Sequence, residues 1–172
     1  KTERLEAEGI LMRSGLTPTD AMILKGDFTG HSGEAAGEAL RFLARNLDCR
    51  PEEIPDQVYE LVEKKLYCNL VRILLDLEHP GQQRTLDQEN METFIGLCYE
   101  KARHPERVSW MQVPFTVKFP LVGVGAPIHI FLPRVAALLG TRAVIGKDAP
   151  VANALGAIAS QVVTRVRLRV KV

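Results

Sequence analysis

The fold is decided by the stretch Lys118-Phe119-Pro120-Leu121-Val122-Gly123-Val124-Gly125-Ala126-Pro127 and the residues that follow it. An apolar, strand-like segment leads here into a glycine turn, and the turn leads into a helical pattern between Phe131 and Leu139. Strand, glycine turn and helix in this order form a setting in which unpaired backbone N–H groups bind phosphate. The same order also serves packing alone. A dinucleotide fingerprint has a third glycine where this chain has Ile128, and no Lys-Ser or Lys-Thr pair of a P-loop follows.

A second segment, after a short predicted strand, begins a further helix and reads Lys147-Asp148-Ala149-Pro150-Val151-Ala152-Asn153-Ala154-Leu155-Gly156-Ala157-Ile158. Together the two segments resemble the last part of an actin-like ATPase, a superfamily that includes sugar kinases, acetate kinase and the heat-shock-cognate chaperones. Within it the chain is similar to the hydantoinase/oxoprolinase family. The matching pieces are Gly125-Ala126-Pro127, Phe131-Leu132-Pro133 and Val151-Ala152-Asn153-Ala154, together with the upstream segment Ser14-Gly15-Leu16-Thr17-Pro18-Thr19-Asp20-Ala21.

The pattern of apolar residues predicts an α/β protein in which a helical layer precedes a small β-α-β-α-β unit. Steps of three and four residues change to short apolar strands near Val108, so the helical part is placed at residues 1–107 and the α/β part at residues 108–172. The resemblance implies that this unit corresponds to the second half of an actin-like, ribonuclease H-like ATPase fold. It also implies that residues 1–172 are a fragment of one hydantoinase/oxoprolinase-type domain.

The resemblance also implies a nucleotide site and the residues that border it. These residues are Gly123, Gly125, Ala126, Pro127, His129 and Asn153, with Asn153 expected to orient a loop. Gly156 and Ala157 would allow close packing of the last helix. No catalytic residue and no metal ligand can be named, because the chain shows neither a Ser-His-Asp order nor a metal-ligand cluster.

The implied function is one side of the nucleotide cleft in an ATP-dependent hydrolase of cyclic amides, acting on hydantoins or 5-oxoproline. ATP and magnesium are expected for the intact protein and no bound cofactor for this fragment. The Asp-x-Gly-Gly-Thr phosphate turn of such proteins is absent from the chain, so the fragment alone is expected to be inactive. The expected partners are the missing N-terminal half of the same polypeptide and a small cyclic-amide substrate, and oligomerisation is left open. The alternatives are a non-catalytic assembly module of the same fold and an actin-like ATPase with another substrate.

Composition argues against several other classes of protein. The chain has 22 basic and 21 acidic residues, and this balance gives no field to attract nucleic acid or an anionic membrane. No apolar run is long enough to span a bilayer, so a cytoplasmic protein is expected. Cys49, Cys68 and Cys98 show no Cys-x-x-Cys spacing, which predicts reduced and mostly buried thiols.

Local patterns in the helical part have structural explanations. Thr17 and Asp20 predict a capping box at a helix start, although the family likeness leaves a functional use of Asp20 open. Three glycines between residues 26 and 33 predict a loop, in which His31 is either solvated or a ligand contact. The longest predicted helix has a continuous apolar stripe, expected to be core, formed by Val58, Leu61, Val62, Leu66, Leu70, Ile73, Leu74 and Leu77. Tyr67, on the other side of that helix, is assigned no chemistry.

Three strands are expected in the α/β part besides an extended or edge strand between Val108 and Phe119. The strands near Leu121 and near Val144 are predicted to be parallel, because a helix connects them. A last strand is predicted between Val166 and Val172, where apolar residues alternate with arginine and lysine. Its basic face suits either solvent or an anion.

Overall fold

The computed structural model of the chain describes residues 2–10, 15–80, 88–108 and 110–160. Five helices come first: α1 (Thr2–Ala7), α2 (Pro18–Lys25), α3 (Gly33–Leu47), α4 (Ile54–Glu78) and α5 (Gln88–Arg103). They are followed by β1 (Leu121–Gly123), α6 (Ile128–Leu138), β2 (Ala143–Ile145) and α7 (Ala152–Ala159), and short 3-10 turns span Pro51–Glu53 and Ala149–Val151. The strand predicted between Val166 and Val172 lies outside the described residues. Within the described ranges, no helix has the length and apolar character needed to cross a membrane.

The sheet confirms the predicted strand-helix-strand unit. β1 and β2 pair in parallel, with Leu121 opposite Ala143 and Gly123 opposite Ile145. α6 connects the two strands and packs on the face from which Leu121 and Gly123 point. The described part of the chain is therefore an α/β structure that is mostly helical and has a small parallel sheet.

Of the extended entry or edge strand predicted between Val108 and Phe119, the edge strand is wrong for the described residues of that segment. Residues 110–120 carry no strand pairing, and the backbone N–H of Val117 donates instead to the carbonyl of Leu139 just past the end of α6, at 2.9 Å. Pro114 and Pro120 have no N–H to offer a ladder. The segment therefore crosses the core as an extended connection from the helical layer to β1.

The buried face of α4 matches the predicted apolar stripe only in part, since Leu66, Leu70 and Leu74 are half-buried against the core. Tyr67 and Val71 are 0% and 2% exposed, whereas the stripe residues Leu61 and Leu77 are 64% and 71% exposed. The Tyr67 ring meets the ring of Tyr99 on α5 edge to face, with centroids 5.4 Å apart. Leucines surround most of α4, so hydrophobic periodicity does not by itself fix which side turns inward. The aromatic pair at the α4–α5 contact shows which side does.

Contacts along α4 define the directions of its neighbours. Arg72 pairs with Glu92 at 3.2 Å and Lys64 pairs with Glu100 at 2.6 Å, so α5 runs antiparallel to α4. Tyr59 and Phe131 have ring centroids 5.0 Å apart, and Arg134 on α6 lies one helical turn further along, beside Glu63 on α4. α6 is therefore parallel to α4. The amino ends of α4 and α6 and the carboxyl end of α5 lie at the same end of the molecule.

The loop predicted between residues 26 and 33 lies at that end too. α2 ends at Gly26, which adopts the left-handed conformation with φ of 80°. Asp27 accepts a hydrogen bond of 2.7 Å from the hydroxyl of Tyr59, and the ring of Tyr59 contacts Phe131 on α6. Ser32 then caps α3 by accepting from the backbone N–H of Ala35 at 3.2 Å. Tyr59 thus connects the loop to the first turn of α6.

Candidate functional site

The carboxyl ends of β1 and β2 lie at one edge of the sheet, where they lead into the loops at residues 124–127 and 146–151. Parallel strands place the loops that follow them side by side, and open α/β sheets bind ligands at this edge. The backbone N–H of Gly125 donates to the carbonyl of Ala149 at 2.7 Å. This bond joins the two sequence segments that carry the family resemblance. We call the loops at residues 124–127 and 146–151 together the carboxyl edge.

Gly125 is the residue of the carboxyl edge that requires glycine for its backbone. Its φ is +107°, a region that residues with a side chain rarely adopt. A Cβ built at this position has no atom within 4 Å, so the space in front of the backbone is open. A ligand can therefore approach the main chain closely at Gly125.

Gly123 has a different role. It is buried, and a Cβ there would lie 2.8 Å from Cδ2 of Leu132 and 2.9 Å from Cγ1 of Ile128. The absence of a side chain is what allows α6 to pack directly on β1. Gly123, predicted to border the nucleotide, lies beneath α6 and allows this helix to pack next to the carboxyl edge.

Three other predicted site residues occupy the exposed start of α6. Ala126, Pro127 and His129 are all exposed, and no side chain caps the helix at Pro127. Nδ1 of His129 lies 2.8 Å from the carbonyl oxygen of Ala126, so Nδ1 carries the proton and donates. This bond turns the imidazole toward the turn, and Nε2 is the ring nitrogen that it does not use.

Asn153 lies in the first turn of α7 and is exposed. It is four residues beyond Ala149, so it belongs to the segment tied to Gly125. The close packing expected at Gly156 and Ala157 is wrong for the described residues, because a Cβ at Gly156 would have no neighbour within 4 Å. α7 also leaves Ile158 84% exposed. Nothing in the described part of the chain packs against this helix closely enough to require a glycine.

The upstream motif forms the predicted capping box, with α2 starting at Pro18. Oδ2 of Asp20 accepts from the backbone N–H of Thr17 at 2.8 Å and from its hydroxyl at 2.7 Å. The backbone N–H of Asp20 in turn donates to the Thr17 hydroxyl at 3.2 Å. These bonds explain both residue types by helix capping. His31 lies in the exposed loop, with its ring 5.6 Å from that of Phe28.

Sequence reasoning missed a cluster of charges beneath α6. Glu63 is 4% exposed and lies beside Arg134, near Arg103 and Glu60. Burial raises the pKa of the Glu63 carboxyl, and the two arginines offset that effect only in part. The available signal was spacing, since Glu63, Tyr67 and Val71 follow each other at steps of four on one helix face.

The described residues contain no group of three metal-ligating side chains. All three cysteines are free, as predicted from their spacing, but only Cys98 is buried and the other two are half-buried. Burial raises the pKa of the Cys98 thiol. The thiol is therefore not set up as a nucleophile.

Comparison of the chain with protein-family models, with curated proteins and with solved structures finds no match.

Proposed function

We propose that this chain forms one side of the nucleotide cleft in a cytoplasmic, ATP-dependent hydrolase of cyclic amides, of the hydantoinase/oxoprolinase type. In this proposal the chain corresponds to the second half of an actin-like ATPase. The observation that supports it is the bond of 2.7 Å between the N–H of Gly125 and the carbonyl of Ala149. It joins the two segments that carry the resemblance, at the sheet edge where α/β proteins bind ligands.

The residues of the carboxyl edge fit the phosphates or the ribose of a nucleotide. Gly125 has open space in front of its backbone, and α6 begins beside it without a side-chain cap. The start of a helix carries partial positive charge and free N–H groups, both of which favour an anion. Exposed Asn153 and Nε2 of His129 add polar groups that suit a ribose or a base.

Magnesium fits this chain less well than the nucleotide does. Mg²⁺ is usually held by carboxylates together with the phosphates of the substrate, and the described residues bring no carboxylate cluster to the edge. In the proposal the metal therefore binds through the phosphates and through the other half of the protein. ATP with its metal would supply activation of the amide carbonyl by phosphorylation. This chain contributes binding and orientation.

Turnover then requires both halves of the cleft. Phosphoryl transfer depends on positioning and on charges that surround the transferred group, and in this proposal the carboxyl edge contacts the nucleotide on one side only. An N-terminal half of the same polypeptide is the proposed source of the remaining charges and of the catalytic groups. The cyclic amide is the proposed substrate, and an actin-like ATPase with another substrate remains an alternative of the same class.

A second candidate function, a non-catalytic assembly module, is favoured by the uncovered side of the sheet. Val122 and Val144 point away from α6 and are 73% and 43% exposed. Parallel sheets are normally covered on both faces. α7 also presents Leu155 and Ile158 to solvent. A module that binds another subunit through these apolar surfaces would need no nucleotide.

Calorimetric titration of ATP into the full-length protein distinguishes the two functions. Gly125→Val places a side chain in the open space at the edge, and Gly140→Val is the matched control. Gly140 also has a positive φ, of +64°, but lies at the opposite end of α6. We expect Gly125→Val to abolish ATP binding and Gly140→Val to retain it, with melting curves confirming that both fold. An ATP affinity of folded Gly125→Val equal to that of the unaltered protein would exclude the carboxyl edge as the nucleotide site. Absence of ATP binding to the unaltered protein would favour the assembly module.

A further inference from the structure

The helices α4, α5 and α6 meet at the carboxylate of Glu63, the one charged side chain that is buried among the described residues. Its Oε2 lies 3.4 Å from Nε of Arg134 on α6, and its Oε1 lies 3.5 Å from Nη1 of the same residue. Tight ion pairs of this kind have N–O distances of about 2.7–2.9 Å. Oε2 has no hydrogen-bond partner in the described structure. Glu63 is therefore deeply buried but loosely paired.

The charges around Glu63 come from all three helices. Glu60 lies one turn earlier on α4, and α5 contributes Tyr99 and Arg103. Arg103 is already engaged, since its Nη1 lies 2.6 Å from Oε1 of Glu60 and donates to the hydroxyl of Tyr99 at 3.3 Å. Arg134 is thus the main partner left for Glu63. Its side chain is 57% exposed, so water competes for its guanidinium.

The protonation of Glu63 is linked to the closed arrangement of the helices. Burial raises the pKa of Glu63 above its ordinary value, and Glu60 acts in the same direction. The closed structure therefore holds the proton more tightly than a structure in which water reaches the carboxylate. By linkage, the closed arrangement is favoured at low pH and loses stability as the pH rises through the pKa of Glu63 in the folded protein.

We propose that Glu63 positions α6 against the helical layer in a proton-dependent way. When Glu63 is neutral, α6 packs closely on α4, and when it is charged, α6 moves outward until water reaches the carboxylate. α6 begins directly after Gly125–Pro127, so the carboxyl edge moves with it. Glu63 is a positioning residue, and Arg134 on α6 opposes the outward motion because it stabilises the charged carboxylate in the closed arrangement. Its effect on a nucleotide rests on the function proposed above, whereas the motion of α6 does not.

Hydrogen exchange measured by mass spectrometry on this chain tests the motion directly. The exchange of α6 amides is compared at about pH 4.5 and about pH 7.5 after correction for intrinsic rates, a range that starts near the ordinary pKa of a glutamate. We expect α6 to exchange several-fold faster at the higher pH, and Glu63→Gln to remove this difference. Glu92→Gln is the matched control, because Glu92 joins α5 to α4 in an exposed pair. The control should behave like the unaltered chain, and the amides of α2 should not change.

The proposal is overturned if α6 exchange does not depend on pH, if Glu63→Gln keeps the dependence, or if α2 changes by the same factor. A second variant, Arg134→Gln, removes an exposed cation and should fold. Loss of this positive charge should move the midpoint of the exchange change to higher pH, and an unchanged midpoint would also overturn the proposal. In the full-length protein, ATP affinity should fall over the same pH range and should fall less in Glu63→Gln. If α6 responds as expected but ATP does not bind at any pH, the nucleotide proposal fails and the positioning role stands.

Discussion

Substitution of Gly123 by alanine tests the packing of α6 on the sheet. The new Cβ would lie 2.8 Å from Cδ2 of Leu132, and 2.9 Å and 3.2 Å from the two γ carbons of Ile128. Ile128 is branched at Cβ and has few rotamers to choose from, and Leu132 is only 3% exposed. The strain therefore has to be relieved by movement of the Leu132 and Ile128 side chains or by a shift of α6. Overpacking of this kind costs about 1–3 kcal/mol in the free energy of unfolding.

Urea denaturation followed by circular dichroism measures this loss, and Gly156→Ala is the matched control. Gly156 lies in α7 with nothing within 4 Å of its Cβ position, so alanine there should stabilise the helix by about 0.5–1 kcal/mol. We also expect Leu132→Ala to recover part of the loss in the double variant, because it removes the closest atom. Equal unfolding free energies for Gly123→Ala and the unaltered chain would refute the close contact between α6 and β1. Additive effects in the double variant would show that Leu132 is not the residue in the way.

Three further substitutions are expected to change the unfolding free energy in defined directions. Gly125→Ala should lower it by about 1 kcal/mol because φ is +107°, and a thermal melt equal to that of the unaltered chain would contradict the positive φ. Tyr67→Phe should raise it by about 1 kcal/mol, because the buried hydroxyl has no hydrogen-bond partner among the described residues; a lower melting temperature would mean that the hydroxyl is satisfied. Thr17→Ala should lower the free energy of unfolding by about 1 kcal/mol through loss of the capping box, and Thr17→Ser should keep most of that free energy. An equal decrease in both variants would argue against capping.

The pattern of the α/β part was predictable because its signals are local. A glycine turn between an apolar strand and an apolar helix leads to a parallel strand-helix-strand unit, since few other connections of that length are available. The parallel orientation of β1 and β2 follows from this, whereas the register that places Leu121 opposite Ala143 does not. The capping box at Thr17 and Asp20 was predictable for the same reason, because the residue that caps a helix and the residue three positions later lie close together.

The inward face of α4 was not predictable from the same sequence. Leucines occupy most sides of this helix, and the apolar stripe that the spacing favours contains Leu61, Ile73 and Leu77, which the fold leaves more than half exposed. The face that packs carries Tyr67, which contacts Tyr99 from a helix that is distant in sequence. Periodicity gives the presence of a helix, and tertiary contacts give its rotation.

The candidate site likewise combines features that the local sequence predicts with features that only tertiary contacts produce. The amino-acid sequence by itself determined which residues form the turn at Gly125 and the segment around Asn153, because glycines and short motifs specify local backbone shape. Only the tertiary structure decided that Gly125 is bonded to Ala149, that Gly123 serves packing, and that Glu63 is buried beneath α6. Each of these depends on elements that are brought together by burial of the common core. Contacts between residues far apart in sequence cannot be predicted from the spacing of apolar residues.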